Sequence, residues 1–123
     1  MTSLFDLTED NFRSTVDDRA GITVVDFYAD WCAPCVALEP VLDELAREVR
    51  DVAFARVDVS AQESLSTRFD VQSVPTVIIF RNGTPVSRLF GAKTKRQILR
   101  ALDNARDADG PAPDSGVEPG RDG

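Results

Sequence analysis

Seven residues, Ile22-Thr23-Val24-Val25-Asp26-Phe27-Tyr28, form a β-branched and aromatic stretch of strand length that is apolar at nearly every position. A strand with one face in water alternates apolar and polar side chains. This one does not, so it suits a strand covered on both faces.

The rest of the chain supplies the covering elements. Thr8 followed by Glu9 and Asp10 predicts a capped helix start, with Phe12 and Val16 four residues apart on one face. From Pro34 to about Val49, the residues Leu38, Val41, Leu42, Leu45 and Val49 recur at helical spacing, interrupted by Pro40, which should kink the helix. Val52 to Val59 reads as the next strand, and Ser60 with Glu63 forms a capping-box pattern that opens a short helix carrying Leu65 and Phe69. Thr76-Val77-Ile78-Ile79-Phe80 is a buried strand, Asn82-Gly83 signals a hairpin, and Pro85 to Phe90 makes the return strand. A last helix starts at a Thr94 to Gln97 capping box and presents Ile98, Leu102 and Ala105. The order βαβαββα, after a short first strand and helix, predicts an α/β domain with a central mixed β-sheet flanked by helices on both faces.

At 123 residues, 42% hydrophobic and 28% charged, the chain has the size of one domain. Such a domain buries roughly two-thirds of its unfolded surface, so it needs neither a structural metal nor a lattice of disulfides. Its two cysteines are left for other work. The domain is expected to occupy residues 1–106. Residues 107–123 hold four glycines, three prolines, five acids and one arginine, with Val117 as the one sizeable apolar side chain. That composition cannot offset the entropy of ordering and predicts a disordered, solubilising acidic tail.

Composition also excludes functions. A formal charge of −7 argues against a nucleic-acid binder, which collects phosphates on a basic face. Histidine is absent from the whole chain. There is consequently no Ser-His-Asp triad, no Cys-His dyad and no histidine-bearing zinc site. No apolar run approaches the roughly 20 residues that cross a bilayer. The start, Met1-Thr2-Ser3-Leu4-Phe5-Asp6, lacks the pattern of a secretory signal, so a cytosolic location is expected.

The cysteines sit in Trp31-Cys32-Ala33-Pro34-Cys35, after a buried strand and at the start of a helix. This spacing lets two thiols close a small disulfide ring with little backbone movement, a redox signature beside a βαβ pattern. Free N–H groups and the positive end of the dipole at a helix N-terminus stabilise a thiolate, so Cys32 should have a depressed pKa and act as nucleophile. Cys35, one turn in and expected to be more buried, would resolve the mixed disulfide. A zinc site needs two further Cys or His ligands that the chain lacks, and a purely structural disulfide is disfavoured in a reducing cytosol.

The stretch Val25-Asp26-Phe27-Tyr28-Ala29-Asp30-Trp31-Cys32-Ala33-Pro34-Cys35, with Pro40, Val74-Pro75-Thr76, Asn82-Gly83 and Gly91 in the same order, closely resembles the thioredoxin family over about residues 4 to 106. The resemblance implies the thioredoxin fold and a general protein-disulfide reductase, with no bound cofactor or metal and with a thioredoxin reductase restoring the dithiol. It implies that Asp26, a carboxylate in an apolar strand whose pKa burial should raise, passes protons to and from Cys35. A purely structural buried ion pair is the competing role. Pro75, after Val74, matches the family's cis-proline, although by itself it reads as an ordinary strand-opening proline. Trp31, Ala33, Pro34, Val74, Pro75, Gly91 and Ala92 correspond to the apolar lip on which an extended client segment lays its backbone; Trp31 alone could equally be core, but its position flanking Cys32 points to surface recognition.

Three residues depart from the family pattern. Ala33 replaces a glycine between Cys32 and Pro34, which should stiffen the turn and shift the balance of dithiol and disulfide. Val36 stands where many members carry a cation after the second cysteine, so thiolate stabilisation should weaken slightly. Arg56 replaces a lysine beside the buried aspartate, and its permanent charge should lower the Asp26 pKa. None removes the reaction. The expectation is a small cytosolic monomer that reduces disulfides in client proteins. A disulfide oxidant or isomerase, or a non-catalytic binding module on the same fold, are the alternatives.

Overall fold

In the computed structural model, which describes residues 2–107, the Ile22–Tyr28 run forms strand β2 and is buried along nearly its whole length. β1 spans Phe5–Asp6, β3 Ala53–Asp58, β4 Thr76–Arg81 and β5 Thr84–Phe90. They make one five-stranded sheet in the order β1-β3-β2-β4-β5. β3 pairs parallel with both β1 and β2, while β4 and β5 are antiparallel, so the sheet is mixed as expected.

Side-chain parity divides the core into two layers. Ile22, Val24, Phe54, Val77 and Ile79 meet Leu38, Leu42 and Leu45 of α1 (Ala33–Glu48) and Ile98 and Leu102 of α3 (Lys95–Asp107). Val25, Phe27, Ala55, Val57, Ile78 and Phe80 meet Leu65 of α2 (Glu63–Arg68) with Phe12, Val16 and Phe69. Each fully buried large apolar side chain contributes about 1.5–3 kcal/mol relative to exposure, so both layers drive folding.

Local chemistry follows the sequence closely in two places. Thr94 and Gln97 form the reciprocal box expected: the Thr94 N–H donates to Gln97 Oε1 at 2.9 Å, and the Gln97 N–H donates to Thr94 Oγ1 at 3.1 Å. Asn82 and Gly83 both take positive φ, 52° and 81°, the conformation of a tight hairpin whose twist matches the strands it joins.

Elsewhere the structure corrects the sequence reading. Ser60 does not cap α2. Asp58 closes that turn instead, its Oδ1 accepting the Ser60 N–H at 2.9 Å and its carbonyl accepting the Gln62 N–H at 2.9 Å. The expected first helix is a turn from Thr8 followed by a single π-helical turn, Arg13–Asp17, in a stretch poor in strong helix formers. It still buries Phe12 and Val16 together. α1 runs unbroken through Pro40, which has no N–H to donate. Asp107, assigned above to the tail, is the last residue of α3; the remainder of the expected tail lies outside the described residues.

Candidate functional site

β2 ends at Tyr28, and the chain crosses the end of the sheet through Ala29, Asp30 and Trp31 before entering α1. Cys32 is the N-cap of that helix. Its backbone is extended, its N–H donates to the Ala29 carbonyl at 3.2 Å, and its carbonyl accepts the Val36 N–H at 3.2 Å. Its sulfur accepts the Cys35 N–H at 3.2 Å, in the manner of an N-cap side chain. Ala33 and Pro34 open the helix, Pro34 where a missing N–H costs nothing.

Cys32 and Cys35 are joined in a disulfide with their Cα atoms 5.2 Å apart. The greater burial expected for Cys35 is not found: both residues are 4% exposed. The disulfide packs as one unit with Ala29 against Tyr28, Val59 and Val74, which covers both sulfurs alike.

Trp31 is 76% exposed, as expected of a residue on the lip and not of a core residue. With Val59, Val71, Gln72, Ser73 and Val74 it lines a groove of about 170 Å³ beside the disulfide. The Val74–Pro75 bond is cis, and Pro75 is buried. The Pro75 carbonyl accepts the Gly91 N–H at 2.9 Å, which brings Gly91 to the same rim. Ala92 is exposed beyond it, and Val36, on the other side of the disulfide, is 63% exposed.

Beneath Cys35 lies a second cleft of about 140 Å³, lined by Asp26, Tyr28, Ala29, Asp30, Cys35, Val36, Glu39 and Arg56. Asp26 is 2% exposed and its Oδ1 has no hydrogen-bond partner. Burial, reinforced by the negative charge of Glu39, pushes its pKa from 3.8 up to about 7; Arg56 pulls it down but is outweighed. The lowering expected from Arg56 is therefore real in sign and too small to decide the outcome. The Arg56 guanidinium is committed elsewhere, to Asp6 Oδ1 at 2.5 Å and Glu39 Oε2 at 3.0 Å, with its Cζ 5.3 Å from the centre of the Tyr28 ring.

Residues 3–104 match the family model for thioredoxin. The chain is 43% identical to the thioredoxin of Mycolicibacterium smegmatis over 102 residues, covering 80% of this chain and 91% of that one. It is 40% identical to the thioredoxin of Mycobacterium bovis over 97 residues, covering 78% and 84%. A bifunctional thioredoxin reductase/thioredoxin of Mycobacterium leprae is 40% identical over 98 residues, which cover 79% of this chain and 21% of that protein.

This chain belongs to the thioredoxin family.

Like other thioredoxins it is a thiol–disulfide oxidoreductase, a protein-disulfide reductase built on the mixed-sheet α/β fold described above. Thioredoxins need no bound cofactor for this reaction. Among the described residues there is no group of three or more His, Cys, Asp or Glu side chains placed to hold a metal, and no helix is long and apolar enough to cross a membrane. The structure brings together Cys32, Cys35, Trp31, Val74, Pro75 and Gly91 at one end of the thioredoxin sheet, with Asp26 and Arg56 directly below. Two features escaped the sequence. One is the 71–73 wall of the groove, which carries no motif. The other is Glu39, whose only signal is its position one helical turn after Cys35.

Proposed function

We propose that this thioredoxin acts as a cytosolic monomer that reduces disulfides in client proteins, with Cys32 as nucleophile and Cys35 as resolving thiol. The reading is carried by the Cys35 N–H donated to the Cys32 sulfur at the start of α1. A donor already aimed at that sulfur favours the thiolate, and the dipole of α1 adds to it.

In the dithiol form the Cys32 thiolate attacks one sulfur of a client disulfide, forming a mixed disulfide and releasing the other client sulfur as a thiolate. Cys35 then gives its proton to the Asp26 carboxylate and attacks the Cys32 sulfur. The second client thiolate leaves, and the Cys32–Cys35 disulfide closes. Two electrons pass to the client, and Asp26 returns the proton when the dithiol is restored. An acid titrating near 7 holds and releases a proton with similar ease at neutral pH, which suits both directions of that transfer. Trp31, Ala33, Pro34, Val74, Pro75, Gly91 and Ala92 form the rim along which an extended client strand docks. A thioredoxin reductase supplies the electrons, a reading supported by the relative that carries both activities in one chain.

The test is capture of the intermediate. Cys35→Ser should accumulate mixed disulfides to clients through Cys32, visible as reductant-sensitive bands, while Cys32→Ser accumulates none. Capture by Cys32→Ser instead would reverse the assigned order. A midpoint potential near about −270 mV marks a reductant, whereas one near about −120 mV would mark an oxidant.

A further inference from the structure

Asp6, Arg56 and Asp26 stand side by side across three strands: Arg56 is in register with Asp6 on β1 and with Asp26 on β2. All three share the parity of Leu4, Phe54 and Val24, the face that α1 covers. Neighbouring strands lie about 4.8 Å apart, so the guanidinium could turn to either aspartate. A buried carboxylate with an unpartnered oxygen is the costlier one to leave alone. Arg56 nevertheless turns from it, donating to Asp6 and Glu39.

Asp6 does not account for this by itself, being mostly exposed, with a side chain 67% accessible. Glu39 supplies the second anchor from α1. It lies four residues after Cys35 and lines the same cleft as Cys35 and Asp26, yet the proposed reaction gives it no role. The charged and titratable groups facing Asp26 are Tyr28 and Asp30 from β2 and the loop after it, Cys35 and Glu39 from α1, and Arg56 from β3; β4 places apolar Val77 opposite. Of these, Glu39 and Arg56 act on Asp26 in opposite directions.

We propose that Glu39 is a positioning residue that shares Arg56 with Asp6, holds the guanidinium off the Asp26 carboxyl, and so keeps Asp26 Oδ1 open toward the Cys35 side of the cleft. Its consequence for catalysis rests on the proton-transfer role of Asp26; the placement of Arg56 does not.

The experiment follows the Asp26 carboxyl by carbon NMR through a pH titration of the full-length oxidised protein. It compares wild type, Glu39→Gln, Arg56→Gln and the double variant. Releasing Arg56 lets it approach Asp26, so Glu39→Gln should make Asp26 titrate at least about one pH unit lower. In the Arg56→Gln background the same change should move it by less than about half of that, because only the charge of Glu39 is then lost. Equal movement in both backgrounds, or none in either, overturns the proposal. Should Arg56→Gln fail to fold, Asp6→Asn loosens the other anchor and should also lower the Asp26 titration; no movement there overturns it as well. A separate stopped-flow measurement reads the pH midpoint of mixed-disulfide resolution by Cys35, which should fall in Glu39→Gln together with the Asp26 titration. If the titration falls as stated and the resolution midpoint stays fixed, the placement of Arg56 stands and the proton-transfer role of Asp26 is refuted.

Discussion

Asp26 and Cys35 line one small cleft from two facing elements, the aspartate from the central strand and the cysteine from the first turn of α1. That placement sets how stability depends on pH. Asp26 titrates near 7 when folded and near 3.8 when solvated, so between those values the folded chain binds more protons than the unfolded one. Stability therefore falls as pH rises through this window, and the loss is complete above about pH 7. The full loss is about 4 kcal/mol. Asp26→Asn should be the more stable protein at pH 8, with an advantage that shrinks steadily below pH 7. Urea unfolding across that range checks it; an advantage independent of pH would show that burial of the charge is not the cause.

Trp31 stands out from the surface beside a disulfide whose own atoms are nearly covered. On the proposed docking of a client along this rim, Trp31 is met before sulfur, and an exposed aromatic at the edge of a groove is a strong anchor for binding. Trp31→Ala should lower kcat/KM for a protein disulfide by about tenfold, equivalent to about 1.4 kcal/mol. Stability should change by no more than about 0.5 kcal/mol, because the side chain supports little of the fold. The comparison with a small-molecule disulfide is informative: its reduction should be nearly unaffected.

Phe69 ties together the layer under α2. Its ring centre lies 5.3 Å from those of Phe12 and Phe80 and 6.0 Å from that of Phe27, and the Arg68 guanidinium sits 4.7 Å above it. Phe69→Ala should cost about 3–5 kcal/mol by thermal or chemical unfolding, since it opens a cavity among rings that have no way to close in. The layer lies on the face of the sheet away from α1, so the redox potential should stay put while stability drops.

How far the sequence carried depends on whether a feature is local. The apolar run of β2, the Asn82-Gly83 turn and the Thr94/Gln97 box are settled by neighbours in the chain, and each is found where the pattern puts it. Ser60 misled because Asp58, two residues earlier, takes with a charged acceptor the Ser60 N–H that Glu63 would accept in a capping box, and the Ala61 N–H as well. The cis bond before Pro75 came from family likeness, since any X-Pro sequence permits either isomer. The fate of Arg56 was out of reach. It depends on Asp6, Asp26 and Glu39, which only strand order and the seating of α1 bring to one place. The placement of these residues, and with it the environment of Asp26, is a property of the topology.

The two glycines of the β4–β5 hairpin and its exit separate two costs that usually arrive together. Gly83 and Gly91 share nearly the same left-handed backbone, with φ of 81° and 82°. A Cβ on Gly91 would meet nothing nearby, so Gly91→Ala carries the conformational cost alone, about 1–2 kcal/mol. A Cβ on Gly83 would run into the backbone carbonyl of Asp17, which cannot swing aside as a side chain could. Asp17 is further fixed by its ion pair with Arg68 at 2.7 Å. Gly83→Ala should therefore cost more than Gly91→Ala, by about 1–3 kcal/mol from overpacking. Activity should show the opposite order, because Gly91 donates to the Pro75 carbonyl at the rim of the groove while Gly83 lies at the far end of the same strand. Equal stability losses for the two alanine variants would mean that the π-helical turn carrying Asp17 yields freely, and that the hairpin and this turn are not packed as one unit.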